Sequence, residues 1–518
     1  MMVRTTPDPP VSAVQYHDQT SHVRHRISPH SLDFSRYPAP FKTYACQGRI
    51  PLGKTAETHQ APGGDKGQTD LDAMVDQVLA RQVPDKERDA PMDLKTVSRI
   101  LDLSYGVTLS DRARGILFRS VPSAGGLYPC QLYLSIQKMP GVDTGLYYCN
   151  TVQGYLCKIN SRPLDMRKTL PGRARAGVYL IITGIFYHSA WKYRGRAFRY
   201  LLLDAGHLAE SVILAARAAG VRARVGYDFD DQLLIQGLDL DQRCEVPLAC
   251  LVLGSGDANE DVPDTQPFHP AGPGPEPFSP VRYEILEKAY KEGSSIVQSR
   301  VPDACPNVFQ HNPSGITPMP ASDFSPEITY RLAITNRRSR RNFTACELPC
   351  SVWAAFFRQV FSGIFSGHIP EETGASAKTF LVPAMICQNL EGMADGLYTF
   401  SSEGSQLVCL HTGSLANALA GVCLDQAWIG RAAVNFLFLA DLGAVESSLG
   451  SRGYRYVMMH AGRAGQRIYL AAEAFGLGCC GVGAMYDAEA AELLALKTGS
   501  VLLYAVAAGP VKKKGSMP

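Results

Sequence analysis

One feature constrains this chain more than any other: it repeats itself. The segment Arg199-Tyr200 through Ala205-Gly206-His207 to Gly220 aligns without a gap on Arg455-Tyr456 through Ala461-Gly462-Arg463 to Gly476, at an offset of 455 − 199 = 256. Both segments read as helices, from their periodic apolar positions, their alanine content and the glycine that stops each one. Two flanking pairs keep nearly the same offset. Gly145-Leu146-Tyr147 answers Gly396-Leu397-Tyr398, and the apolar run Val246 to Gly254 answers Val501 to Gly509. The repeating unit is therefore a domain, and the chain is two copies of it.

The rest of the organisation follows. Residues 1–90 are an N-terminal extension with a loose polar excursion, 91–256 the first copy, 257–325 a proline-rich linker and 326–514 the second copy. The linker assignment rests on prolines at 263, 267, 270, 273, 275, 277 and 280, which sustain neither a helix nor a central strand. Val281 to Glu292 reads as a short amphipathic helix. Within each copy helices alternate with short β-branched or aromatic runs. These are Leu132 to Ile136, Val178 to Phe186 and Pro247 to Leu253, then Phe380 to Ile386, Val434 to Leu439 and Leu502 to Ala507. That pattern predicts an α+β domain around a central sheet.

Composition excludes some function classes. Fifty-one basic against 48 acidic side chains leave a net +3, too small a surplus to predict a nucleic-acid or membrane surface. A small molecule is the expected partner. The 14 cysteines are scattered and show no zinc-finger spacing, so they are expected to be reduced thiols, with no metal site. The N-terminus shows no secretory signal and the longest apolar runs are strand length, so the expected location is the cytoplasm.

Three constellations carry chemistry. Arg337-Arg338-Ser339-Arg340-Arg341-Asn342-Phe343 places guanidinium forks and a hydroxyl in one short run, a donor set that suits phosphate, although a solvated basic helix start has the same composition. Pro122-Ser123-Ala124-Gly125-Gly126 is a small-residue loop whose amides can approach a flat ligand; it also suits a plain turn before a strand. Gly476 to Ala484 is a glycine-rich loop directly after the repeated helix. Because it follows no strand, it fits the dinucleotide fingerprint poorly.

Together these motifs resemble the nitroreductase superfamily, and within it the SagB-type (ThcOx-like) FMN-dependent dehydrogenases. Arg119 to Pro129 is similar to that branch's R-x-x-P-S-a-G-x-x-x-P signature, and Tyr16-His17-Asp18-Gln19-Thr20-Ser21-His22 to the Y-H-x-x-T-x-H stretch that precedes its domains. The resemblance implies an α+β nitroreductase-like fold, with the two fused copies forming an internal pseudo-dimer. It implies that Arg337, Ser339 and Arg341 hold the FMN phosphate, with Lys513 near it. It implies that Pro122, Ser123 and Gly125 contact the ring and ribityl chain, and that Gly481 and Gly483 pass the flavin face. Lys192 and Tyr193 match the pair implicated in proton abstraction during azoline oxidation.

Each copy lacks what the other keeps. The first offers no Arg cluster around Leu103-Ser104-Tyr105-Gly106. The second has Gly374 to Thr379 in place of the Pro-Ser loop and Ser448-Leu449 where Lys192-Tyr193 stand. One composite FMN site per chain is expected, and the chain is expected to be a monomer, since the fused copy replaces a partner. The resemblance implies oxidation of a heterocyclic or peptide-derived substrate. Reduction of nitro groups or quinones with NAD(P)H as transient donor, or a decayed flavin- or peptide-binding scaffold, are the other readings.

Overall fold

The computed structural model describes residues 11–27, 30–53, 91–111, 116–170, 176–254, 280–296, 307–310, 313–326, 328–364, 380–401 and 406–512. Each copy builds a seven-stranded sheet. In spatial order the first runs Gly48–Pro51, Tyr155–Asn160, Gly145–Asn150, Cys130–Ile136, Val178–Ile185, Glu245–Leu253 and Ala223–Gly226. The second runs Gly315–Pro318, Gln406–Thr412, Gly396–Phe400, Val382–Cys387, Val434–Asp441, Ser500–Gly509 and Gly478–Val482. The two orders agree strand for strand, and every neighbouring pair is antiparallel. The sequence repeat is a fold repeat, and the α+β class holds.

The repeated helices are Ala197–Ala218 and Arg452–Ala474, buried on nearly every face, with most of their buried charges paired rather than absent. Each ends where its glycine predicted. Gly220 and Gly476 take positive φ, and Val221 N–H and Leu477 N–H reach back to the carbonyls of Ala216 and Ala472 in matching Schellman motifs. The helices cross in the middle of the molecule. A Cβ on Gly206 would sit 2.1 Å from the Met459 carbonyl oxygen, and one on Gly462 would sit 2.3 Å from that of Leu203. Since 206 + 256 = 462 and 203 + 256 = 459, this is one contact made twice about a local two-fold axis, as in an isologous dimer. Gly206→Ala is therefore expected to wedge the copies apart and to destabilise by about 1–3 kcal/mol, read as a lowered thermal midpoint.

The same two-fold governs the buried ion pairs between the copies. Arg199 reaches Asp487 at 2.6 Å and Arg196 reaches it at 2.7 Å; their mates Arg455 and Arg452 both bind Asp231, Arg455 at 2.9 Å. Each cluster is closed by a short helix. His17 and the Thr20 carbonyl close the first; Tyr290 and the Gly293 carbonyl close the second, with 290 − 17 = 293 − 20 = 273. The helix Glu284–Glu292 is thus the counterpart of Ala13–Gln19, and the strand Gly315–Pro318 joins the second sheet, both within the stretch read as linker.

Three expectations are corrected. Gly478–Val482 is an edge strand, because it pairs with Ser500–Gly509 along its whole length. The helix Leu94–Tyr105, which follows the edge strand Gly48–Pro51 and precedes Cys130–Ile136, stands where Cys350–Ile364 stands between Gly315–Pro318 and Val382–Cys387, so Leu103 to Gly106 is a helix end and not the counterpart of the Arg-Ser-Arg run. By element order that counterpart precedes Leu94, outside the described residues. Finally, Cys46 and Cys157 form a disulfide; they are 111 residues apart, but the Gln47 N–H to Lys158 carbonyl bond carries the edge ladder past them and leaves their Cα atoms 5.2 Å apart. The thiol reading missed it because the pairing is a tertiary event.

Candidate active site

Beside the helix crossing lies a cleft of about 150 Å³ that neither copy builds alone. Copy one supplies Pro122, Ser123, Gly125 and Tyr193, together with Tyr200 and Asp204 from its long helix. Copy two supplies Ser339, Arg341, Gly481 and Gly483, with Tyr469 and Tyr504 behind them. A larger cavity, about 260 Å³, lies around Phe41, Phe186 and Leu240 and carries none of the motif residues.

The copy-one loop is shaped by its glycines. Gly125 and Gly126 take φ of +65° and +69°, a region in which a side chain is strained. A Cβ on Gly125 would also lie 3.0 Å from the Tyr193 hydroxyl and 3.1 Å from Lys192 Cδ, so the loop and the Lys192-Tyr193 pair are packed against each other. Tyr193 stacks obliquely on Tyr200, ring centroids 4.1 Å apart. Burial pushes the Tyr193 hydroxyl well above its ordinary range, with Tyr200 and Asp204 adding to the shift. The Lys192 ammonium moves down instead, first through burial and then through repulsion from Arg341 across the copy boundary. Lys192 itself is half-buried and beside the cleft lining.

In copy two the predicted residues divide. Arg341 lines the cleft, with its Nε 3.5 Å from Cys480 Sγ and its guanidinium over the Trp428 ring. The Ser339 hydroxyl is 3.0 Å from that of Tyr469, which in turn accepts the Gly481 N–H at 2.7 Å. Arg337 turns away from the cleft. It is 3% exposed, donates from Nε to the Ser120 carbonyl at 2.7 Å and from Nη2 to the Arg119 carbonyl at 3.0 Å, and leaves Nη1 buried without a hydrogen bond. It ties the base of the copy-one loop to copy two. Glycine at 481 makes room for Tyr504, whose hydroxyl lies 1.9 Å from where a Cβ would stand; at 483 the nearest atom is the Tyr200 ring at 2.9 Å. Lys513 lies outside the described residues.

The motif Tyr16 to His22 does not touch the cleft. It closes the Asp487 cluster, from which Arg196 Nη2 also donates to the Gly483 carbonyl at 3.3 Å, so it braces the cleft wall from behind. The sequence reading missed Asp204, His207, Tyr200, Tyr469 and Tyr504. For the first two a signal existed: in the aligned helices, Asp204 and His207 answer His460 and Arg463, polar residues of different charge on the same face. Position 227, the mate of Gly483 (483 − 256 = 227), holds Tyr227. Its ring is 1% exposed and packs 5.9 Å from that of Tyr456, the mate of Tyr200, while Asp228 accepts from the Tyr456 hydroxyl.

The fold is a paired antiparallel α+β repeat with a cleft shared between the copies, glycine-shaped on one side and guanidinium-bearing on the other. The sequence profile of the Nitroreductase family matches residues 88–255 and again 334–510, and the chain belongs to that family. A nitroreductase-named protein of Methanocaldococcus jannaschii, MJ1384, is 31% identical over 150 residues, 28% of this chain and 73% of that protein. The microcin B17-processing protein McbC of Escherichia coli is 25% identical over 180 residues, 33% of this chain and 64% of McbC, so just under two thirds of that relative is spanned. A crystal structure of a nitroreductase-named protein from Anabaena variabilis overlays 97% of this chain and 100% of its own at TM-score 0.73 and 23% identity, a likeness of fold. Among the described residues no helix is long and apolar enough to cross a membrane.

Proposed function

We propose that this protein is an FMN-dependent oxidoreductase of the SagB type, acting on a heterocyclic or peptide-derived substrate at one composite site per chain. The observation that carries the reading is the cleft itself, where the copy-one loop with Tyr193 meets Ser339 and Arg341 of copy two. The donor set fits the cofactor: Arg341 brings a cation and Ser339 a hydroxyl for the phosphate, and the Pro122 to Gly125 loop and Gly483 present small residues to a flat ring. When bound, FMN supplies a two-electron centre that takes up a hydride and passes it to an acceptor. The chain supplies proton transfer. Burial and Arg341 bias Lys192 toward the neutral amine that accepts a proton, while the raised Tyr193 keeps its proton as the acid.

The mate position supports a single site, because Tyr227 and Asp228 stand where copy two has Gly483 and Ala484. Heat-released flavin from the purified chain is expected near one FMN per polypeptide. A ratio near two would overturn the composite site, and a colourless protein that takes up no added FMN would overturn the flavin reading.

A further inference from the structure

Among the described residues five carboxylates are buried: Asp204, Glu210, Asp231, Glu245 and Asp487. Four of them face a cation. Glu210 meets Arg463 and Arg467, Asp231 meets Arg452 and Arg455, Glu245 meets Lys42, and Asp487 meets Arg196 and Arg199. Asp204 meets none among the described residues. Its Oδ2 accepts from Ser123 Oγ at 2.5 Å and its Oδ1 from the Ala124 N–H at 3.1 Å, and it stands in the cleft wall. An unpaired carboxylate is expensive to bury, and here burial raises the group to about 7 against the pull of those two hydrogen bonds. Copy two has His460 at the same place in its helix, so the device belongs to this one cleft.

The Ser123 hydroxyl has one hydrogen and two lone pairs. One lone pair takes the Tyr128 N–H at 2.9 Å, and the hydrogen goes to Asp204. With Asp204 ionised, Ser123 therefore has nothing to donate into the cleft. When a solvent proton adds to Asp204 Oδ2, that new O–H donates to the remaining lone pair of Ser123. The serine hydrogen is then released to turn toward the cleft, and no other bond changes.

We propose that Ser123 acts as a cleft-facing donor only while Asp204 carries a proton, so that cofactor binding at this site takes up one proton through Asp204. The inference rests on the flavin reading above. The bound acceptor is an oxygen or ring nitrogen of the flavin, and Asp204 is a positioning residue that acts through Ser123. The other titratable groups facing Asp204 are Tyr105, Cys130, Tyr193 and Tyr504, all pushed upward and uncharged through neutral pH, and His207, lowered to about 3 by burial and equally uncharged there. Lys192, moved downward, is the one nearby group whose own titration a control must separate.

The test is FMN affinity of the flavin-stripped protein from pH 6 to 8.5, with Asp204→Asn and Ser123→Ala alongside. Wild type is expected to weaken at least tenfold across that range, because a linked proton approaches tenfold per pH unit above the group's titration. Asp204→Asn should bind tightly and lose the Asp204-linked slope, since the amide donates to Ser123 permanently while its oxygen still accepts from Ala124. Ser123→Ala should bind weakly and lose the same slope. Lys192 is intact in all three, and the FMN phosphate, ionising near 6, acts on them alike. Calorimetry of wild type in buffers of different ionisation enthalpy should give uptake of about one proton per FMN at pH 8, independent of any variant's folding. A flat wild-type profile without proton uptake, or the wild-type slope persisting in Asp204→Asn, overturns the inference alone. Failure to bind FMN at every pH overturns the flavin reading and this inference with it.

Discussion

Asp487→Ala is expected to cost about 3–5 kcal/mol of stability, because it strands two buried guanidinium groups without a counter-charge. Arg196 and Arg199 are 4% and 3% exposed and both converge on this carboxylate. The arginines and the His17 hydrogen bond hold the carboxyl far below the usual carboxylate range. Its contribution is therefore in place above that range and is lost only as pH falls toward strong acid. The loss is also expected to strip flavin, since the same cluster holds the Gly483 carbonyl against copy one. Asp231→Ala is the two-fold counterpart and supplies the control. It strands Arg452 and Arg455 and should lower the thermal midpoint comparably, yet it lies behind the mate position filled by Tyr227 and should leave the flavin content unchanged. Equal flavin loss in both variants would show that cofactor retention tracks global stability and not this wall.

Lys192→Ala is expected to lower kcat by about 10²–10⁴-fold, the usual worth of a positioned general base, with FMN per chain unchanged. The Lys192 side chain packs its Cδ against Gly125, and its ammonium is depressed by burial and by Arg341. Lys192→Arg restores charge and most of the packing but should not restore turnover, because a guanidinium does not give up its proton. The measurement is single-turnover reduction of the flavin by substrate. Unchanged rates in both variants would remove Lys192 from the proton-transfer role.

Much of this molecule was legible in its sequence. The repeat fixed two copies and their α+β class, since a helix alignable over its whole length implies the same packing surroundings twice. Glycine stops at 220 and 476 and the six strand runs were local patterns, and local patterns need no partner to be read. The candidate site was legible by residue type: loop, Arg-Ser-Arg run and Lys192-Tyr193 were all named, and Ser339, Arg341, Ser123 and Gly125 do converge.

Atomic roles were a different matter. Arg337 and Arg341 stand four residues apart in one motif, yet Arg341 faces the cleft while Arg337 grips a carbonyl 217 residues away. The direction of each guanidinium depends on which backbone the other copy brings beside it. The same holds for Cys46 with Cys157, for the glycine-rich stretch that gains a strand from Ser500–Gly509, and for Asp204, an ordinary helix residue until its carboxylate is buried without a cation. Sequence determined the repeat, the elements and the chemical inventory, because these follow from short-range periodicity and residue type. Tertiary structure alone decided which groups meet and which charges are paired, because those depend on the crossing of two helices 256 residues apart.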